Sequence, residues 1–170
     1  MQRLVAIMAI FVLLGLSLGV QAQEAPPRHV REMTGSGGSG MALLNLDNTV
    51  ALHGHDPVAY FEEGEARRGN KRIVERVGGA TYYFASRGSR YEFLSDANKY
   101  QPQFGGFCAW SMAQGRLADI DPDIFLIYQG KLYLFQDAAQ RAAFQKNPTL
   151  AIRNATQNYF EIARDRRRHY

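Results

Sequence analysis

His53 and His55 stand two residues apart in LHGHDPVAYF (52–61), with Asp56 and Pro57 directly behind them. Imidazole nitrogen is a standard ligand for zinc and copper, and thiolate sulfur favours Cu(I). In an extended segment, residues two apart point to the same side. The pair could therefore chelate one ion, with Gly54 supplying backbone freedom. A third ligand must come from elsewhere, and the single cysteine, Cys108, is the donor to hand. The same residue types also make up a nucleophilic site, with Cys108 attacking, His53 or His55 as base and Asp56 orienting it. Each residue has a structural reading as well. His53 ends a strand and bonds locally, and His55 fills a surface position suited to an aromatic. Asp56 before Pro57 caps a helix, worth ~0.5–2 kcal/mol. Cys108 lies between Phe107 and Ala109-Trp110. There it is a core residue, a metal ligand, a reactive thiol or an intermolecular bridge.

The N-terminus speaks to compartment. Met1 to Arg3 is a short positive start, residues 4–14 are all apolar, and Val20-Gln21-Ala22 has the form of a cleavage site. This is the layout of a signal peptide over 1–22, with a retained membrane anchor as the alternative. The expected location is periplasmic or secreted, with no membrane span after cleavage. One cysteine in an exported chain excludes an internal disulfide, so stability must come from packing. The formal charge is +4, and loss of Arg3 with the signal lowers it by one. That balance is too even to argue for nucleic acid. Much of the excess sits in RDRRRH (164–169), which reads as a solvated helix end favourable to the helix dipole. The sequon Asn154-Ala155-Thr156 has meaning only in a glycosylating host.

The elements that must carry these residues follow from pattern. Residues 23–44 form a linker, with Pro26-Pro27 and a Gly/Ser tract that has little to bury. Residues 45–52 read as a short strand. A helical turn over 58–61 stops at Gly64. KRIVERV (71–77), Gly78-Gly79 and ATYYFA (80–85) make a hairpin, with Tyr82 and Phe84 on one face and Tyr83 on the other. Ser86 caps the next helix, and 107–115 is a buried helical segment. Residues 124–128 and 131–135 form a second hairpin around Gln129-Gly130. Asp137 and Gln140 open a further helix in the manner of a capping box. Asn147-Pro148 begins the last, where Ile152, Ala155, Tyr159 and Ile162 fall at helical spacing. The sum is an α+β domain over 45–147: a small antiparallel sheet built from hairpins with packed helices, plus a C-terminal helix over 148–170 with a basic tip.

DPVAYF (56–61), YYFAS (82–86), Phe93, Lys99-Tyr100 before PQFGG (102–106), and GKLYLF (130–135) occur in an order that resembles the YHS domain family, in particular its exported bacterial branch. The resemblance spans roughly residues 45–145. It implies a small α+β fold. Some members, and related treble-clef-like domains, hold heavy metals through cysteines. At the matching positions this chain has Ala59, Ala85 and Ser89, and none carries a thiolate. His55 stands where the exported branch commonly has Tyr. The expected function is an exported, non-enzymatic binding module with accessory transition-metal binding, copper before zinc, by His53, His55 and Cys108. The alternatives are a metal-free module for a partner or small ligand, using an open aromatic face or the region around Cys108, and a Cys-dependent enzyme.

Overall fold

A computed structural model describes residues 43–168, with side chains through Arg166. The expected signal peptide, most of the linker and the last residues of the basic tip lie outside this range. Leu43 is already buried, and its carbonyl accepts the Tyr159 hydroxyl at 2.8 Å. The packed structure therefore begins ahead of the Asn45 boundary.

The architecture is α+β, in two sheets. The strand expected over 45–52 is two short ones, β1 (Leu46–Asp47) and β2 (Val50–Ala51), folded on each other. β3 (Asn70–Val77) and β4 (Ala80–Phe84) form the expected hairpin. Its two-residue turn needs positive φ at both positions, and Gly78 (60°) and Gly79 (89°) supply it. The sheet order is β1-β2-β4-β3, with β2 parallel to β4 through Val50 and Thr81. It is thus mixed rather than purely antiparallel. β5 (Asp121–Tyr128) and β6 (Lys131–Phe135) make a separate antiparallel pair.

The helices are short until the last. α1 is Ala59–Glu62 and α2 is Arg87–Ser95. Ser86 caps α2, and Ser89 returns the bond to complete a capping box. The chain breaks at Asp96, which caps α3 (Ala97–Tyr100), so one expected helix is two. α4 is Ala109–Ala113, α5 is Ala138–Gln145 and α6 is Pro148–Arg168. No described helix is long and apolar enough to cross a membrane. The core is aromatic. Tyr82 and Phe84 meet Phe93 of α2, at 4.9 and 5.2 Å between ring centroids. Phe135 and Tyr133 meet Phe144 of α5. Ala151, Ala155 and Tyr159 bury the face of α6 that the helical spacing marks.

Two turns run left-handed. Leu52, His53 and Gly54 have φ of 55°, 49° and 80°, and Phe104, Gly105 and Gly106 have 54°, 63° and 85°. Such conformations cost a non-glycine residue roughly 1–2 kcal/mol each, so packing must hold them. At Gly105 the reason is contact: a Cβ there would lie 1.9 Å from the Leu43 carbonyl oxygen. Gly105→Ala should destabilise the domain by at least about 2 kcal/mol through the clash and the positive φ. Urea unfolding of the variant against the parent chain reads this directly; a loss below ~0.5 kcal/mol contradicts the packing described.

Candidate functional site

The HGHDP segment begins in the first left-handed turn and meets β4 and α2. Asp56 is its fixed point. Its Oδ1 accepts the Val58 N–H at 2.9 Å, and its Oδ2 accepts the Ala85 N–H at 2.7 Å and the Ser89 hydroxyl at 2.6 Å. The residue is 1 % exposed. The capping expectation is corrected in detail: Asp56 bonds the first free N–H after Pro57, but α1 starts at Ala59 and its N-cap is Val58. The second carboxylate oxygen reaches across the fold instead. Two positions at which the family resemblance puts thiolates, Ala85 and Ser89, are committed to Asp56, and Ala59 is buried in α1.

His53 sits in the left-handed turn with its side chain 31 % exposed. Its Nε2 meets Asp119 Oδ1 at 2.8 Å. A carboxylate only accepts, so Nε2 carries a proton, and Nδ1 has no partner among the described residues. The same Asp119 oxygen accepts from Asn45 Nδ2 and the Ile120 N–H, each at 2.8 Å. Burial pushes the Asp119 carboxyl up, but these donors and the His53 imidazole outweigh it and hold it below its usual value. Asn45 also bonds Gly105 through its N–H and Gly106 through its side chain, so Asn45 and Asp119 together link the two left-handed turns. Sequence reasoning missed Asp119 and Asn45. The two lie 74 residues apart, and the one signal was an acidic residue ahead of the second hairpin.

His55 is buried. Its Nδ1 donates to the Leu52 carbonyl at 2.9 Å, which leaves Nε2 as the open nitrogen. Burial is the main cause that pushes its pKa below the ordinary value, and the Arg68 charge adds to this against the Leu52 bond. Arg68 anchors the turn from outside, donating to the His53 carbonyl at 2.7 Å. The Tyr83 ring closes against Gly54, 3.1 Å from where a Cβ would stand.

Cys108 is elsewhere. It is 0 % exposed, and its Sγ donates to Gln140 Oε1 at 2.8 Å, beside Ser111 at 3.0 Å on the same oxygen. The Gln140 amide is satisfied in turn by Gln136 and Asp137. Among the described residues, no three His, Cys, Asp or Glu side chains converge on a shared metal position. His53, His55 and Cys108 are therefore not assembled as one ligand set: the histidines take their order from a surface turn and the thiol from a core amide. The open groove of about 380 Å³ between the end of α4 and α6 is lined by amides, Gln114, Asn154, Gln157 and Asn158 among them, and by none of His53, His55 or Cys108.

No family model matches the chain, and searches of curated proteins and of solved structures found no similar protein.

Asp56→Asn should cost about 1–3 kcal/mol, because an amide nitrogen facing either Val58 or Ala85 and Ser89 cannot accept. Chemical denaturation with unchanged far-ultraviolet circular dichroism is the check. For His55 the sign is fixed by its lowered pKa. The unfolded chain takes up a proton near pH 6.5, the folded chain only lower, so stability is complete above about 6.5 and falls as pH drops through that window. His55→Gln keeps a donor for Leu52 and cannot protonate. Its loss of stability between about pH 7.5 and 5.5 should be smaller than that of the parent chain.

Proposed function

We propose that this chain is an exported YHS-type binding module that engages a partner or small ligand without a metal, through the surface around His53, His55 and Arg68. One observation carries the reading. The polar groups at the family-type positions and around Cys108 are committed to internal hydrogen bonds. The chemistry left open lies on the outer turn, at the partly exposed His53 and the remaining donors of Arg68, with the buried His55 next to them. A turn presenting a guanidinium and one imidazole suits recognition by hydrogen bonding and charge. A Cys-dependent reaction finds no support here, since its nucleophile would have to leave the core to meet a substrate.

The test is titration of the purified chain with Cu(I), Cu(II) and Zn(II), alongside Cys108→Ser and a His53→Ala/His55→Ala double variant. The expected result is that no tight one-to-one site depends on Cys108. A one-to-one site lost in both variants would overturn the reading and restore the three-residue metal centre. A site lost only in the histidine variant would assign metal binding to the imidazole pair alone and equally end the metal-free account.

A further inference from the structure

The β3–β4 hairpin has one covered face and one partly open face, on which Thr81 is buried and Val74 and Arg76 are exposed. Tyr82 and Phe84 turn inward onto Phe93. Their neighbour Tyr83 turns outward, only half-buried, against Gly54 and Arg68. The register pairs Val74 with Tyr83 and Arg76 with Thr81, and residues directly opposite in an antiparallel pair share a face. Val74 and Arg76 therefore stand beside Tyr83 on the open side, and Val74 is 38 % exposed.

The charge on this region is of one sign. Arg68, Lys71, Arg72 and Arg76 are all exposed. Arg68 donates to a carbonyl, and the side chains of the other three have no partner among the described residues. Of the nearby acids, Glu75 pairs with Arg90 at 2.5 Å and Glu65 with Arg67, while Asp123, whose charge reaches His55, has no ion pair among the described residues. Charged residues on an edge strand also discourage edge-to-edge pairing. That role is indifferent to sign, and here it is served by Arg90, which donates to the outer carbonyl of Val74. What remains is a cluster of free cations around an amphipathic ring and an exposed valine.

We propose that the open face of β3 and β4 docks reversibly on an anionic phospholipid surface. Free cations lower their energy near anionic headgroups, by about five-fold in partitioning for each residue that reaches the surface. Tyrosine is the side chain that suits the boundary between headgroup and acyl chain, with an apolar body and a polar tip. A polypeptide of acidic residues alone would satisfy the charge but gives the exposed Val74 and the Tyr83 ring no counterpart.

The proposal extends the metal-free binding reading by naming a partner, and it falls separately from it: metal titration decides the first, lipid composition the second. The full chain is mixed with vesicles of phosphatidylcholine alone and with one quarter phosphatidylglycerol, and amide exchange is read on the bound protein. The expected result is protection of β3 and β4 with phosphatidylglycerol only, weakened by salt. An apolar segment that was not removed would hold the chain to both vesicles but would not protect these strands. Arg72→Glu/Arg76→Glu should lower the salt-sensitive binding at least ten-fold, while Arg116→Glu, on another part of the chain, should change it far less. Equal protection on both compositions, or an Arg116→Glu effect as large as the double variant's, overturns the proposal. So does protection of the strands by poly-L-glutamate but not by phosphatidylglycerol, which would assign the face to an acidic protein.

Discussion

A carboxylate taken out of water is stable only where donors replace its hydration, and Asp56 draws its three from separate parts of the chain. Val58 lies just after it, Ala85 ends β4, and Ser89 stands in the first turn of α2. The Ser89 hydroxyl also belongs to the capping box that starts α2. One side chain thus fixes the entry to α1, the exit of β4 and the start of the helix that covers the sheet. The aromatic layer of Tyr82, Phe84 and Phe93 depends on that alignment, because α2 must arrive over β4 at the right depth.

The two left-handed turns depend on the same logic at the surface. Neither Leu52 nor Phe104 favours positive φ, and both are buried there. Their side chains gain from the core what the backbone loses. Asn45 and Asp119 then join the turns, and the single Asp119 oxygen collects Asn45, His53 and the Ile120 N–H. The consequence is a histidine oriented from below by a carboxylate and from outside by Arg68. Its Nδ1 has no partner among the described residues.

Cys108 shows how a chemically suggestive residue can be a packing residue. Complete burial removes it from solvent, and Gln140 supplies an acceptor that the apolar surroundings lack. The same amide accepts from Ser111, so α4 and α5 are joined through one carbonyl oxygen. The polar chemistry of the fold is therefore divided: committed hydrogen bonds inside, and uncommitted imidazole and guanidinium groups outside.

The sequence by itself determined what is local. Both hairpins are legible because Gly78-Gly79 and Gln129-Gly130 supply the turn conformations, and the flanking apolar residues alternate. The starts of α2 and α5 are legible because Ser86 and Asp137 bond a donor three residues on. The α+β class and the core face of α6 follow from those periods. Partners distant along the chain were decided only by tertiary structure. Nothing local pairs Asp119 with His53 across 66 residues, or Asp56 with Ser89 across 33. Nor does spacing show that two histidines two apart lie in a left-handed turn, because strand alternation presumes an extended backbone and Leu52, His53 and Gly54 do not have one. Local propensity reads dihedral preferences and periodicity. Which donors meet which acceptors is set by how the whole chain packs, and at this site that packing put His53 with Asp119, Asp56 with Ser89 and Cys108 with Gln140.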